Sequence, residues 1–281
     1  MKIGSLCTGY GGLDMAVEAY FNAETIWVAE FDKYASQIIE LRWELPNYGD
    51  ITKINWGELD SIDILTAGYP CQPFSHAGHR KGENDKRHIW PHIKKAISEL
   101  RPRIVILENV RGHLTLGFKE VLQELTEIGY DATWTIIRAS DVGAPHRRER
   151  IFVIAYPESG GTRELSTITE QILEHRNSIT ASIDTSNEFI SHDRQMQDLG
   201  RRFIARRDMH LQDLPNPLDR DGKLNAKFVE YMMGLPSGWV TDSGLSRPQQ
   251  LKILGNGVVP QQAHAAIHRL LTLSQTRPTY A

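Results

Sequence analysis

The stretch from Ile3 to Phe21, IGSLCTGYGGLDMAVEAYF, contains a short apolar run, a glycine-rich turn and an amphipathic segment. Ile3 to Thr8 is predicted to form a buried strand, and the residues from Gly9 to Gly12 end it with a turn. A helix is indicated by apolar residues at helical spacing, which are Leu13, Ala16, Val17, Tyr20 and Phe21. The stretch therefore predicts one strand–turn–helix unit of an α/β fold.

The same alternation of strand and helix continues to Tyr156. Further strands are predicted over Thr25–Glu30, Ile62–Ala67, Ile104–Leu107, Thr133–Ile137 and Ile151–Ala155. Helices are predicted up to Trp43, from Ile89 to Leu100, and along an apolar stripe from Phe118 that Gly129 ends. Because such alternation is typical of βαβ units, we expect an α/β fold with a doubly wound, mainly parallel sheet and helices on both faces.

The chain divides into three segments by character. Residues 1–156 carry the alternation and are predicted to form the first domain. Residues 157–223 are rich in serine and threonine without a strong period, so we interpret them as a small inserted region. Residues 224–281 are predicted to return to the first domain, with one helix from Leu224 to about Met233 and another that Pro260 opens.

Composition and charge exclude several classes of protein. With 40% hydrophobic and 24% charged residues among 281, the chain is neither a disordered polymer nor a collagen-like repeat. No apolar run approaches the roughly 20 residues of a membrane span, and the N-terminal apolar run is too short for a signal peptide. The formal charge of −3 means that any binding of nucleic acid must come from local patches.

The two cysteines of the chain, Cys7 and Cys71, lead to different predictions. They cannot supply a disulfide scaffold or a four-cysteine zinc site, so we expect a reducing cytoplasm and no metal. Cys7 lies inside the first predicted strand, where a buried structural cysteine is expected.

Cys71 lies in the segment GYPCQPFS, Gly68 to Ser75, directly after a predicted strand. Ligands of doubly wound sheets bind beyond the carboxyl ends of the strands, where the strand order reverses. If that strand and the first strand flank this point, Cys71 lies beside the glycine turn. Pro70 and Pro73 restrict the local backbone and hold the thiol in place. The alternative is a buried structural cysteine.

The glycine turn favours a nucleoside cofactor. Gly9, Gly11 and Gly12 allow a tight turn and a close approach of a ligand to the backbone. Glu30 ends the second predicted strand, where a carboxylate can accept two ribose hydroxyls. The patterns of dinucleotide sites and of phosphate loops are absent, so an adenosyl cofactor without phosphates fits better. The alternative for the glycines is a turn that only needs positive φ values. The alternative for Glu30 is a solvated residue at the end of a strand.

An acid and two arginines are predicted at the same edge of the sheet. Glu108 begins the segment Glu108-Asn109-Val110 at the end of a strand, and Arg148 and Arg150 precede the last strand. By alternation both arginines point to one side. Together with a thiolate, they would suit attack on an electron-poor ring carbon, with the acid bonded to a ring nitrogen and an arginine to a carbonyl oxygen. The alternative for the arginines is a set of salt bridges.

At these residues the chain resembles the family of C5-cytosine methyltransferases. Gly68 to Ser75 is similar to the nucleophile motif of that family, and Glu108-Asn109-Val110 to its Glu-Asn-Val motif. Arg148-Glu149-Arg150, Gly255 to Val258 and the segment from Phe228 to Pro236 resemble three further motifs in the order of the family. In three departures, Cys7 replaces a usual Phe, His146 a usual Gln and Gly257 a usual Ser.

The resemblance implies a Rossmann-like methyltransferase that methylates C5 of cytosine from S-adenosylmethionine. Residues 1–156 would be its cofactor-binding catalytic domain, and the inserted residues 157–223 a small target-recognition region. Cys71 would attack C6 of a flipped cytosine, Glu108 would bind its N3 and amino edge, and Arg150 its O2, with Arg148 nearby. Glu30 would bind the ribose, Phe31 would pack on the adenine and Asp50 would meet the adenine amino group. The cofactor contacts implied in this way are Cys7, Gly9, Gly11, Gly12, Glu30, Phe31, Asp50, Ile51, Gly68, Pro70, Asn256 and Val258.

Two basic stretches are predicted to meet double-stranded DNA. The loop from His76 to Trp90 resembles the loop of the family that closes on DNA, and the second stretch is the arginine group at 194–207. The predicted DNA contacts are Ser75, Arg80, Lys81, Arg87, Arg201, Arg202 and Arg206. The alternative for each stretch is a solvated surface.

The resemblance also implies a bacterial or phage enzyme that acts as a cytoplasmic monomer and can be linked to a restriction nuclease. Two other functions stay open. One is an RNA methyltransferase, because one branch of the family modifies tRNA. The other is a catalytically silent DNA-binding relative.

Overall fold

Six strands form one sheet in the computed structural model, which describes residues 1–70, 89–158 and 214–275, with side chains through residue 272. The strands are β1 Lys2–Leu6, β2 Glu24–Ala29, β3 Ile64–Gly68, β4 Ile104–Val110, β5 Tyr130–Arg138 and β6 Glu149–Pro157. Their order is β2-β1-β3-β4-β6-β5. Every pairing from β2 to β4 is parallel, and β6 runs antiparallel to both of its neighbours. The predicted doubly wound, mainly parallel sheet is therefore confirmed.

Helices cover both faces of this sheet. They are α1 Gly12–Phe21, α2 Lys33–Trp43, α3 Trp90–Leu100, α4 Phe118–Glu127, α5 Ala226–Met232, α6 Arg247–Asn256 and α7 Pro260–Gln275. Helices α3 and α4 share one apolar core with the sheet, while α1 and α7 share another on the opposite face. A third core joins α2, α5 and α6 to the glycine turn.

The alternation of side chains along β4 shows how the two faces are divided. Val105 and Leu107 enter the core under α3 and α4, and Ile104 and Ile106 enter the core under α1 and α7. Since successive side chains of a strand point to opposite faces, Glu108 lies on the face of α1 and α7, at the carboxyl end of the strand. The apolar pattern of β4 therefore also determines the face of the sheet to which the Glu108 side chain points.

Several features differ from the sequence predictions. Strand β1 ends at Leu6, so Cys7 follows the strand with a φ of 53° and is half-buried, whereas it was expected inside the strand. Strand β4 extends to Val110 and not only to Leu107. Strands β5 and β6 are longer than predicted, because they pair in one continuous antiparallel register from Tyr130↔Pro157 to Arg138↔Glu149. Helix α6 was not predicted, since its apolar positions form no clear stripe. Its start does carry a signal, because Ser246 and Gln249 form a reciprocal capping box. The domain boundaries at 156 and 223 stay predictions, since residues 159–213 are outside the described chain.

Two further findings concern the described residues. None of their helices combines the length and the apolar character needed to cross a bilayer. No group of three or more histidine, cysteine, aspartate or glutamate side chains in the described segments is arranged to hold a metal ion.

The loop between α5 and α6 is organised by a buried carboxylate. Glu230 accepts hydrogen bonds from the backbone N–H groups of Gly238 (2.8 Å), Val240 (2.6 Å) and Thr241 (2.9 Å), and from the Thr241 hydroxyl. The indole of Trp239 in this loop donates to the carbonyl of Tyr10 at 3.0 Å. Glu230 thus holds a loop that contacts the glycine turn.

We expect Glu230→Ala to lower the free energy of unfolding by about 3 kcal/mol, because it leaves several buried N–H donors without acceptors. Urea denaturation measures this change. Glu127→Ala is the control, since it removes only a 3.5 Å surface ion pair with Lys94 and should cost at most about 1 kcal/mol. Equal denaturation midpoints for Glu230→Ala and the unchanged protein would contradict this role.

Candidate functional site

The candidate site lies at the carboxyl edge of the sheet, between β1 and β3, where the strand order reverses. Gly68 marks its centre. A Cβ atom at Gly68 would lie 3.6 Å from Glu108 Oε2, 3.8 Å from Val258 Cγ2 and 3.9 Å from the Cys7 carbonyl oxygen. Four segments that are distant in the sequence therefore meet at one point, and each of them carries residues predicted for the site.

The turn after β1 has a conformation that requires glycine at two positions. Gly9 and Gly11 have φ values of 62° and 82°, in the left-handed region. A Cβ atom at Gly12 would lie 2.1 Å from the carbonyl oxygen of Val258, so the close approach of these two backbones requires glycine there as well. Around Gly9, in contrast, the space that a Cβ would occupy is open. A ligand can therefore reach the backbone at Gly9.

Glu30 follows β2 and connects it to the glycine turn. Its carboxylate accepts hydrogen bonds from the N–H of Gly9 (2.8 Å) and the N–H of Asp32 (2.7 Å). Burial raises the pKa of Glu30, and these backbone donors oppose the rise. Glu30 is buried, so it is not a solvated strand end. The next residue, Phe31, is 77% exposed and offers a free aromatic face.

Asp50 and Ile51 lie at a short 3₁₀ helix beyond α2. The Asp50 carboxylate accepts from the N–H (3.1 Å) and the hydroxyl (2.8 Å) of Thr52, and these bonds lower its pKa. Ile51 is buried in the core under α3 and α4. Asp50 therefore has an ionised carboxylate in a fixed position. The predicted hydrogen bond from an adenine amino group would need such an acceptor.

Glu108 and Arg150 form an ion pair at the centre of the site. Arg150 Nε lies 2.9 Å from Glu108 Oε1, and both side chains are largely buried. The pair exists because β6 is reversed, which brings its first residues to the edge where β4 ends. Burial raises the pKa of Glu108 to about 7, although Arg150 and Arg148 oppose this rise. Glu108 can therefore change its protonation state near neutral pH.

Asn109, the middle residue of the Glu-Asn-Val segment, positions the first residues of the segment from Gly68 to Ser75. Its amide donates to the carbonyl of Tyr69 at 3.0 Å. The Tyr69 hydroxyl in turn bonds His113 Nε2 at 3.1 Å. Both contacts fix the backbone one residue before Pro70, which is exposed at the edge of the sheet.

Arg148 differs from the expectation that it points to the same side as Arg150. It precedes β6 and has a φ of 21°, so the alternation of a strand does not apply to it. Its guanidinium donates to the carbonyls of Gly255 (3.0 Å) and Gly257 at the end of α6. Its buried Nε has no hydrogen-bond partner among the described residues. Arg148 thus connects β6 to the segment that contains Asn256 and Val258.

Two residues of this region were not predicted from the sequence. The buried hydroxyl of Tyr10 donates to the carbonyl of Val258 at 2.6 Å. His146, at the position of the usual Gln, has its Nε2 3.0 Å from the carbonyl of Met232. Tyr10 lies between two glycines of the turn, and this position was the one feature of the sequence that could have identified it as a residue of the site.

The ring of Tyr10 also explains the glycine at 257. A Cβ atom at Gly257 would lie 1.9 Å from Tyr10 Cε1. The φ of Gly257, −77°, is open to any residue, so the requirement for glycine comes from the ring. Tyr10 and Gly257 therefore form a matched pair.

We expect Gly257→Ser, which restores the usual family residue, to destabilise the protein by about 2 kcal/mol through overpacking against Tyr10. The same substitution should cost much less in a Tyr10→Leu background. Thermal unfolding of the two single variants, the double variant and the parent measures this coupling. Additive effects would contradict the matched pair.

The remaining predicted residues lie outside the described chain. They are the predicted nucleophile, Cys71, and the predicted DNA contacts, which are Ser75, Arg80, Lys81, Arg87, Arg201, Arg202 and Arg206. Among the others, the structure brings Cys7, Gly68, Glu108, Arg150 and Val258 to one place, with the glycine turn and Glu30 beside them. Asn256 is exposed at the end of α6.

Relatives and solved structures support one family. The Type II methyltransferase M.BsuFI of Bacillus subtilis is 29% identical, over 90% of this chain and 68% of its own length. M.HhaI of Haemophilus parahaemolyticus is 35% identical over 56% of this chain, which spans about half of that relative.

Among solved structures, the S. pombe Dnmt2 methyltransferase has a TM-score of 0.65 at 18% identity and covers 97% of this chain and 99% of its own. A variant of Spodoptera frugiperda DNMT2 has a TM-score of 0.64 at 15% identity, over 96% of this chain and 99% of its own. These structures show that the fold is that of Rossmann-like methyltransferases. The sequence profile described as C-5 cytosine-specific DNA methylase matches residues 1–210. The chain therefore belongs to the family of C-5 cytosine-specific DNA methylases, as its motifs indicated.

Proposed function

We propose that the protein transfers a methyl group from S-adenosylmethionine to C5 of a cytosine within a specific sequence of double-stranded DNA. The observation that carries this proposal is the buried pair of Glu108 and Arg150, which lies beside the glycine turn at the switch point of the sheet. A carboxyl and a guanidinium at this distance match the N3 and O2 atoms of one pyrimidine edge. Membership in the family supports the same reaction.

The described residues fit an adenosyl cofactor without phosphates. Glu30 is buried and fixed beside an open stretch of backbone at Gly9, which suits two ribose hydroxyls. Phe31 is exposed and can stack on an adenine, and Asp50 can accept from its amino group. We place the methionine end at Gly9, Gly11 and Asn256. When bound, the cofactor supplies an electrophilic methyl group at a sulfonium centre.

Cys71 begins the reaction in this proposal. Its thiolate forms a bond to C6 of the cytosine, and the electron pair of the 5,6 double bond makes C5 nucleophilic. Glu108, as the protonated acid, donates a hydrogen bond to N3, while Arg150 donates to O2 and stabilises the charge that develops on the ring. The methyl group would pass to C5 and leave a neutral thioether behind. A base then removes the C5 proton, and the electron pair of that C–H bond re-forms the 5,6 double bond and releases the Cys71 thiolate from C6.

The cytosine must leave the duplex before this chemistry, because C6 cannot be reached inside a stacked helix. The segment from Gly68 to Ser75 begins at the edge of the sheet where Glu108 and Arg150 lie, because Gly68 is the partner of Glu108 in the β3–β4 register. An extruded base that contacts Glu108 would therefore be close to the start of that segment.

Incubation with S-adenosylmethionine labelled in its methyl group tests the proposal on duplex DNA and on tRNA in parallel. We expect label in DNA, and bisulfite sequencing of DNA from an expressing host should then show one methylated sequence context. Label in tRNA alone would favour an RNA methyltransferase. A protein that binds DNA, but transfers no label and forms no covalent adduct with DNA that contains 5-fluorocytosine, would be a silent relative.

We also propose a bacterial or phage-infected cytoplasm as the place of action and a link to a restriction nuclease. The support is that M.BsuFI and M.HhaI, both bacterial, are named Type II methyltransferases. Resistance of the host DNA to nucleases that cut the methylated context tests this link. Analytical ultracentrifugation tests the expected monomer.

A further inference from the structure

Three arginines surround one glutamate at the active edge of the sheet. Glu149 Oε2 lies 2.6 Å from a terminal nitrogen of Arg111, and Glu149 Oε1 lies 2.9 Å from Arg138 Nε and 3.4 Å from a terminal nitrogen of Arg147. The arginine side chains are 61%, 49% and 75% exposed, whereas Glu149 is only 16% exposed. We call these four residues the arginine cluster.

The arginine cluster carries an excess of positive charge. Hydrogen bonds from Arg138 and Arg111 lower the pKa of Glu149, so this carboxylate is ionised at neutral pH. One carboxylate neutralises one of three guanidinium groups, and the cluster keeps a charge of about +2. Holding Glu149 would need only one arginine. The whole chain has a formal charge of −3, so this positive charge is a local feature of the surface.

The arginine cluster adjoins the candidate site. Glu149 directly precedes Arg150, and its partner in the β5–β6 register is Arg138. Val110, paired with Arg150 at the end of β4, is followed at once by Arg111. Arg150 and Glu149 point to opposite faces of β6, so the cluster lies at the rim of the site and outside the buried pair.

We propose that Arg111, Arg138 and Arg147 bind phosphates of the DNA strand that delivers the cytosine to Glu108 and Arg150. This inference rests on the proposed function. Duplex DNA carries one negative charge per about 1.7 Å of its axis, so a base that enters the site brings phosphates to this rim. Glu149 holds the arginines in place and leaves donors of each guanidinium free to bind phosphate oxygens.

The dependence of DNA affinity on salt tests the proposal. Binding of a cognate duplex is measured between about 50 and 200 mM salt for the unchanged protein and for the triple variant Arg111→Gln, Arg138→Gln, Arg147→Gln. We expect the slope of log K against log salt to fall by about 2 to 3, at roughly 0.9 per lost phosphate contact. Affinity at the lower salt concentration should fall at least about tenfold, and a triple lysine variant should retain most of the slope.

Arg103→Gln is the matched control, because Arg103 is exposed directly before β4, at the opposite edge of the sheet. It should leave both affinity and slope unchanged. Unchanged binding of S-adenosylmethionine shows that the triple variant is folded. A triple variant with the DNA affinity and slope of the parent would overturn the proposal, and so would loss of slope on tRNA alone. Absence of DNA methylation by the parent protein would instead count against the proposed function.

Discussion

Replacing Cys71 with alanine is expected to abolish methyl transfer to DNA and to leave the binding of S-adenosylmethionine intact. Without the sulfur no bond to C6 can form, so C5 never becomes nucleophilic, and the rate should fall by several orders of magnitude. Transfer of labelled methyl groups measures the loss, and calorimetry measures cofactor binding. Methylation of DNA by Cys71→Ala at the parental rate would rule out the covalent scheme.

The second cysteine of the chain provides the control for this experiment. Burial, with a smaller contribution from Glu30, raises the pKa of Cys7 to about 12, so Cys7 is a neutral thiol at physiological pH and a poor nucleophile. Cys7→Ala should therefore still form a covalent adduct with DNA that contains 5-fluorocytosine, even if the predicted contact of residue 7 with the cofactor is altered. Cys71→Ala should form none. An adduct on Cys71→Ala would point to another nucleophile.

The position of Glu108 could be predicted from the sequence because local patterns determine it. An apolar strand that ends in an acid places that acid at the carboxyl edge, and the side-chain period of two chooses the face. The position of Arg150 depends in addition on the direction of β6 in the sheet. In a parallel strand, residues that precede the strand would lie at the opposite edge. The reversal of β6 brings Arg150 to Glu108, and no local pattern indicates the direction of a strand.

The contacts of Arg148 and Tyr10 could not be predicted for a related reason. Tyr10 bonds the carbonyl of Val258, 248 positions later in the sequence, and its ring determines that residue 257 has no side chain. Arg148 leaves the regular strand geometry and bonds carbonyls more than 100 positions away. Such contacts depend on tertiary packing, whereas hydrophobic periods report only which face of an element is buried.

The arginine cluster was also missed, although three of its four residues, Arg111, Arg147 and Glu149, stand in a quoted motif or next to one. Arg111 directly follows β4, Arg138 ends β5, Arg147 precedes β6 and Glu149 begins β6. Only the antiparallel pairing of β5 with β6 brings Arg138 opposite Glu149. In the sequence these arginines are isolated charges. The sequence analysis predicted DNA contacts in continuous basic stretches such as 194–207 instead. Periodicity and composition describe neighbours along the chain and not neighbours across the strands of a sheet.

Glu108→Gln is expected to slow methyl transfer by about 10² to 10³-fold and to change its dependence on pH. In the parent, Glu108 has a pKa raised to about 7, and in the proposed mechanism its protonated form donates a hydrogen bond to N3. kcat/KM should therefore fall as pH rises above about 7, because the donor is lost. An amide donates at every pH, so this descending limb should disappear in Glu108→Gln. Profiles of kcat/KM between about pH 5.5 and 9 measure both effects.

Glu18→Gln separates this effect from burial alone. Glu18 lies on α1 away from the Glu108–Arg150 pair, and burial raises its pKa to about 7 as well. A carboxyl whose pKa is raised on folding contributes stability below its unfolded pKa of about 4.5, and that contribution is lost as pH rises through about 7. Both variants should therefore flatten the fall in stability across this window, but only Glu108→Gln should remove the descending limb of kcat/KM. The descending limb of kcat/KM could instead persist in Glu108→Gln and disappear in Glu18→Gln. The pH dependence would then come from the stability of the protein, and Glu108 would not be the hydrogen-bond donor to N3.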